Sequence, residues 1–151
     1  MRWYSVVSQD ITKIPDAISF YEAELVNAKQ ECRISGNIEK AAAALPGIVE
    51  HRFGQLQEIE AILEFLNIEA KRLRSHKFRH FLETYPRALT SRDVEKYIDG
   101  EPEIIAQDLL INEFALLRNK WLGITKGVEQ KHWQLSNIVK LRSVGIEDAT
   151  I

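Results

Sequence analysis

The feature that most constrains the fold of this chain is a pair of apolar heptad repeats in stretches with few helix breakers. In both, apolar residues recur at alternating intervals of three and four, which places them along one side of a helix. The first seam is Leu56, Ile59, Leu63, Leu66, Ala70 and Leu73, and the second is Leu110, Phe114, Leu117, Trp121, Ile124 and Val128. The alternation at two that is typical of strands is not evident. We therefore predict an all-α protein with long helices.

Proline and glycine positions predict the helix boundaries. We expect a first helix from about Pro15 to Ser35, since proline suits a first helical turn and Ser35 precedes a glycine. A short alanine-rich helix over 38–45 follows, and Pro46 then opens the longest helix, which ends near Thr84. A helix over 46–84 would be about 58 Å long. So long a helix needs an antiparallel partner helix or another subunit.

The rest of the sequence, after Thr84, predicts three further helices. Thr90 caps a short helix that ends at Gly100, and Pro102 begins the next one. A final helix over 130–143 has the apolar set Trp133, Leu135, Ile138, Val139 and Leu141. Two seams in one small chain favour self-association, with helix packing inside one subunit as the alternative. The predicted organisation is an N-terminal docking arm (1–14), a long-helix region (15–89) and a C-terminal oligomerisation region (90–151).

The composition restricts the cellular compartment in which we expect the protein. The single cysteine cannot form an internal disulfide, and no apolar run approaches the roughly 18 residues of a membrane-spanning helix. Residues 1–10 lack the features of a signal peptide. We therefore expect a cytoplasmic protein without a membrane partner.

Charge is segregated along the chain although the net charge is only −2. Residues 71–82 contain five basic and no acidic residues, whereas residues 93–113 contain one basic and seven acidic residues. Residues 118–142 are again basic, with six basic residues and one acidic residue. Such segregation creates local potentials that the total conceals, so nucleic acid remains a candidate partner.

The basic segment, residues 71–80, is the sharpest local feature. At about 100° per residue its five cations point to several sides of a helix, so it cannot be fully buried against apolar neighbours. Lysine and arginine at this density suit a phosphate backbone, and the aromatic and imidazole rings could stack on unpaired bases. The alternative is a solvated helix end whose cations compensate the helix dipole. The candidate DNA-binding residues are Lys71, Arg72, Arg74, His76, Lys77, Arg79 and His80.

Other chemical motifs are weaker. His76 and His80 lack a neighbouring glutamate or cysteine for a metal site, and the nearby cations would repel a metal ion. Cys32 is interpreted as a structural thiol, and Gly123 and Gly127 as a place of close helix contact. No phosphate-binding loop or catalytic carboxylate pair is present, so we expect no enzyme, no cofactor and no metal.

Four segments resemble the UvsY recombination mediator proteins of tailed phages. The similarity covers residues 68–144 and is carried by IEAKR (68–72), KFR (77–79), RDVEKYI (92–98) continuing to residue 105, and KHWQLSNI (131–138) leading to Arg142. Two departures are a longer segment between Tyr21 and Ile68 and the absence of an aromatic-rich finish over 142–148.

The resemblance implies a small, non-enzymatic helical protein that forms a hexameric or heptameric ring. Members of the family bind single-stranded DNA and help a RecA-like recombinase replace the single-strand-binding protein. The family's Lys-x-Arg DNA contact corresponds to Lys77 and Arg79, and the helices after Pro102 correspond to its assembly region. The expected location is then the host cytoplasm.

Together these observations predict a recombination mediator that binds single-stranded DNA without sequence preference. Several basic helices on one ring would bind one strand multivalently. The alternative hypothesis is an oligomeric helical adaptor whose basic segment contacts an acidic protein partner or the 93–113 region of a neighbouring subunit.

Overall fold

The computed structural model describes residues 2–86 and 88–145, and in these ranges all regular secondary structure is helical. The all-α class is thus confirmed for the described part of the chain. One turn of 3-10 helix, Ile11–Lys13, separates the first two α-helices. The α-helices are α1 (Arg2–Gln9), α2 (Ile14–Glu31), α3 (Ile38–Thr84), α4 (Ser91–Asp99) and α5 (Pro102–Ser143).

Two predicted breaks between helices are wrong, because α3 and α5 are each continuous. Helix α3 runs through Pro46, although an internal proline removes one backbone hydrogen bond and costs about 3 kcal/mol. Leu45 before the proline and Ile48 and Val49 after it pack in one apolar cluster with Val128 and Leu135 of α5, which holds the helix together on both sides of the proline. Helix α5 runs through residues 128–130, where the sequence has neither a proline nor a capping residue that would end it.

Local capping signals explain several observed ends. Asn37 caps α3 by accepting a hydrogen bond from the backbone N–H of Lys40 at 3.1 Å. Thr90 caps α4 by accepting from the N–H of Asp93 at 3.2 Å, as its capping motif predicts. Gly36, which connects α2 to α3, has a φ of +72°, a conformation that favours glycine. Helix α2 ends earlier, at Glu31, four residues before the predicted boundary.

Helices α3 and α5 form a long antiparallel hairpin that is the frame of the molecule. Leu45 near the start of α3 shares a cluster with Leu135 near the end of α5, and Lys77 near the end of α3 contacts Glu103 at the start of α5. The two heptad seams face each other across this hairpin, and α2 packs beside them. The main core contains residues of all these helices together with Val7 of α1.

A buried arginine ties α2 to the hairpin. Arg52 on α3 donates two hydrogen bonds to Glu31, at 2.7 and 2.8 Å, and one to Glu24 at 2.8 Å. Its guanidinium also lies 5.6 Å from the centre of the Trp121 ring on α5. The amide of Gln55 and then the guanidinium hold the pKa of Glu24 below its usual range, and the guanidinium does the same for Glu31. The network is a charge-assisted junction of three helices.

A second polar contact attaches the N-terminal segment. Glu58 on α3 is buried, and it accepts hydrogen bonds from the Tyr21 hydroxyl and from the backbone N–H of Trp3 at 3.2 Å. Burial, together with this hydrogen bond, raises the pKa of Tyr21 well above its usual range. Helix α1 therefore lies against α3, with Val7 in the core.

Helix α4 closes the end of the hairpin where α3 and α5 are connected. Its buried residues Val94 and Ile98 form a cluster with Ile104 on α5, and partly buried side chains of the basic end of α3 pack against them. Within the described residues, none of the helices has the length and apolar character needed to cross a membrane.

Candidate nucleic-acid interface

The basic segment forms the last turns of α3, and the fold divides its cations between two faces. Arg74 and Lys77 point toward α4 and the start of α5. The other face carries the five remaining candidate residues: Lys71, Arg72, His76, Arg79 and His80. On a helix these five lie within about 180° of one another. All five are exposed.

The inward-facing cations are neutralised by the acidic segment of the same chain. Arg74 forms ion pairs with Asp99 at 3.0 Å and with Asp108 at 3.7 Å. Lys77 forms ion pairs with Glu103 at 3.3 Å and Glu101 at 3.7 Å, and only 17% of its side chain is exposed. The segregated charges at 71–82 and 93–113 therefore meet within one molecule.

The outward-facing cations are exposed, so their charge is available to a bound ligand. Arg72 pairs with Glu69 at 2.8 Å one turn away, but 75% of its side chain is exposed. Lys71 and Arg79 form no ion pair with any residue that the structure describes. This outward face, defined by Lys71, Arg72, His76, Arg79 and His80, is a compact cationic and imidazole surface.

The two residues that correspond to the Lys-x-Arg motif lie on different faces. Lys77 and Arg79 are about 200° apart around the helix axis, as their spacing of two requires. Lys77 is enclosed by carboxylates and Arg79 is exposed. Within one subunit they therefore do not form one contact surface.

The predicted oligomerisation seam lies inside the subunit. Phe114, Leu117, Trp121 and Ile124 belong to the main core, with Leu110 packed against it, and Val128 belongs to the cluster around Leu45. Phe114 and Trp121 have no exposed surface. The partner helices of this seam are α2 and α3 of the same chain.

Sequence reasoning missed an exposed aromatic residue on α5. Trp133 was expected in the apolar set of the final helix, but 62% of its surface is exposed. Of that set only Leu135 is buried, while Val139 and Leu141 are exposed as well. The register of the second seam could have indicated this, because Trp133 lies about 160° around the helix from Leu135.

Gly127 and Cys32 lie at a close helix contact, whereas the expected close contact at Gly123 is absent from the described residues. A Cβ on Gly127 would lie 2.8 Å from the Sγ of Cys32, so this glycine allows the close approach of α5 to the end of α2. A Cβ on Gly123 would meet nothing within 4 Å. Burial raises the pKa of the Cys32 thiol, which makes it a poor nucleophile.

Comparison with known proteins provides no assignment for this surface. No protein-family model, curated protein or solved structure matches the chain. Residues 146–148, where the sequence departs from the aromatic finish of the UvsY family, lie outside the described residues.

Proposed function

We propose that this protein binds single-stranded DNA and acts as a recombination mediator. The observation that carries the DNA-binding part is the outward face of α3, where three cations and two imidazoles lie together on one exposed surface. The acids of the 93–113 segment pair with the opposite face of this helix, and the one described ion pair on the outward face is the exposed contact of Arg72 with Glu69. A neutralised face has no excess positive charge with which to attract phosphates. The outward face has such an excess.

The chemistry of this surface favours contact with phosphate rather than with particular bases. Lysine and arginine release condensed counterions from a nucleic acid, and this attraction does not depend on sequence. His76 and His80 could stack on unpaired bases, which only a single strand presents freely. We therefore propose binding that is sensitive to salt and tolerant of sequence.

The mediator role rests on the resemblance to UvsY proteins. In this proposal a ring of subunits presents several outward faces to one strand, so that weak contacts add up through effective concentration. Bending or extending the strand on the ring would loosen the single-strand-binding protein and admit a RecA-like recombinase. The protein itself performs no covalent chemistry in this scheme.

Self-association in this proposal uses a surface other than the second seam. Helix α5 carries an uncharged, solvent-facing stripe at heptad spacing: Ile105, Leu109, Asn112, Leu116, Asn119 and Gly123. Leu109 and Leu116 are 63% and 56% exposed. An uncharged stripe on an exposed helix face is unusual for a face that meets only water and suits a helix of a second copy.

A helical adaptor remains the second candidate, and a different surface favours it. An apolar groove of about 850 Å³ lies between the first half of α3 and the end of α5. Leu45, Phe53 and Val139 line it, with His132 and Lys140 beside them. An apolar groove beside a histidine and a lysine suits an apolar helix of a partner protein that has acidic residues on either side of its apolar face. This hypothesis expects negligible DNA binding.

The experiment is a fluorescence anisotropy titration of a labelled oligo-dT with the wild-type protein and two double variants. Lys71→Ala with Arg79→Ala removes two outward cations, and Lys29→Ala with Arg33→Ala removes two exposed cations at and just after the end of α2 as a control. We expect the first variant to bind at least tenfold more weakly, with a slope of log K against log salt shallower by about 0.7 per lost phosphate contact. The control variant should match the wild type. Absence of wild-type binding at low salt would refute the proposed function.

A further inference from the structure

A second exposed cationic surface lies on α5, at the opposite end of the molecule from the basic end of α3. Its residues follow intervals of four and three on the side of the helix that faces away from the core: Lys126, Gln130, Trp133, Asn137 and Lys140. All five are exposed. We call this surface the Trp133 face.

Trp133 is the centre of this surface. With 62% of its surface exposed, it is the most exposed aromatic side chain in the described part of the chain. Its ring also forms an edge-on contact with His132, with centroids 5.4 Å apart. The indole therefore lies at the protein surface beside polar neighbours, where a flat ligand can stack on it.

The charge beside Trp133 on this helix comes from two lysines and one glutamate, and its sum is positive. Lys126 and Lys140 flank Trp133 at seven residues on each side, about 10 Å along the helix. Neither lysine forms an ion pair with a described residue. Glu129, the single acid among residues 118–142, lies four residues before Trp133 and three after Lys126, so it offsets part of the charge of Lys126 and none of that of Lys140. Buried Lys131, by contrast, donates to the carbonyl of Glu31 at 2.8 Å and is used inside the fold.

We infer that the Trp133 face is a stacking site for an unpaired base of single-stranded nucleic acid. The base would stack on the indole of Trp133, and Lys126 and Lys140 would contact the phosphates on either side. Exposed aromatic rings between cations are the usual elements of sequence-tolerant single-strand binding, because every base has a stacking surface. This inference rests on the proposed function and adds a second contact site to it.

The polar neighbours argue for this ligand over a protein helix. Gln130 and Asn137 lie directly between the tryptophan and the two lysines, so these five positions carry one large apolar ring, and the apolar groove lies on the neighbouring side of the helix, beyond His132 and Lys140. A docked protein helix would need several apolar contacts, whereas a stacked base needs one ring and nearby cations. Duplex DNA is excluded as the ligand because its bases are already stacked on one another.

The two contact sites are far apart in one subunit. The basic end of α3 lies beside the start of α5, near Glu103, which is 30 residues and about 45 Å along the helix from Trp133. A single strand would bridge them along the length of the hairpin or between neighbouring subunits. Because the sites do not share residues, the effects of their variants should add.

The test uses the full chain, an oligo-dT single strand and the intrinsic tryptophan fluorescence. We expect Trp133→Ala to bind about tenfold or more weakly, Trp133→Phe to retain most of the affinity, and Val26→Ala, which truncates an equally exposed apolar residue on α2, to match the wild type. The oligonucleotide should quench wild-type fluorescence, and Trp133→Phe should remove that quenching. Lys126→Gln with Lys140→Gln should make the salt slope shallower.

The outcomes separate this inference from the proposed function. If the wild type binds the oligonucleotide and Trp133→Ala binds it equally well, the stacking site is refuted while DNA binding stands. If the wild type does not bind at all, both are refuted. Far-ultraviolet circular dichroism checks that the surface variants keep their helix content.

Discussion

Replacement of Arg52 by leucine tests the account of how the three main helices are joined. The side chain is 4% exposed and donates charge-assisted hydrogen bonds to Glu31 and Glu24, with Trp121 beneath it. Leucine fills part of the volume and provides no donor. The variant therefore leaves two carboxylates close together and without the cation that they share.

The expected loss follows from what each contact contributes. Breaking a buried ion pair by removing one partner costs about 3–5 kcal/mol. The Glu24 and Glu31 side chains are 27% and 29% exposed, so water recovers part of that cost, while the lost contact with Trp121 adds about 1 kcal/mol. We expect Arg52→Leu to lower the free energy of unfolding by about 3–4 kcal/mol. For a chain of this length that corresponds to a fall in Tm of roughly 10 °C.

The matched control is Arg72→Leu, which removes an arginine from the same helix and breaks an ion pair with Glu69 at 2.8 Å. Because that arginine is 75% exposed, the loss should be within about 0.5 kcal/mol. Urea unfolding at pH 7, followed by circular dichroism, measures both. A loss below 1 kcal/mol for Arg52→Leu, or equal losses for the two variants, would refute the buried-junction argument.

The same junction determines how stability responds to acid. The pKa values of Glu24 and Glu31 are lower in the folded chain than in the unfolded chain, so the unfolded state binds protons first. Their contribution is fully present above the unfolded pKa of about 4.3 and is lost as the pH falls through the lower folded values. The stability difference between the wild type and Arg52→Leu should therefore shrink below about pH 4. A difference that stays constant from pH 7 to pH 3 would contradict this.

Three further predictions concern the hairpin and its surfaces. Gly127→Ala should destabilise the protein by about 1 kcal/mol because the new Cβ meets the thiol of Cys32, whereas Gly123→Ala should be neutral or stabilising by up to about 1 kcal/mol. Thermal unfolding measures whether the Tm of each variant rises or falls. Lys77→Ala should lower the free energy of unfolding by about 1 kcal/mol and, in contrast to Arg79→Ala, keep the DNA affinity within twofold of the wild type. Weaker DNA binding at unchanged stability would show instead that Lys77 contacts DNA. Leu109→Lys with Leu116→Lys should reduce the oligomer mass in light scattering while helix content is kept; an unchanged mass would exclude the stripe as the interface.

Much of the architecture follows from local sequence signals. The spacing of apolar residues indicates helices and shows which side of each helix is buried, because the period of 3.6 residues is a property of the backbone itself. The capping side chain of Thr90 acts within one helical turn, so the start of α4 could be predicted. The charge blocks at 71–82 and 93–113 could also be recognised before any contact was known.

Other features depend on contacts between distant residues. The continuity of α3 through Pro46 depends on packing against α5, which outweighs a local preference to break. The seam from Leu110 to Val128 predicts a helical partner but does not identify it, and the partner proved to be within the same chain. Periodicity describes a face and says nothing about what covers it.

The candidate site shows the same division. The sequence alone determines that the cations of residues 71–82 are concentrated and that Lys77 and Arg79 point in different directions, since the helical period requires both. Only the tertiary structure decides that acids 24 or more residues away neutralise Arg74 and Lys77 and leave Arg79 exposed. The tertiary structure also decides that Trp133 faces outward. Ion pairs and burial depend on which helices pack together, and helix packing brings together residues that are far apart in the chain.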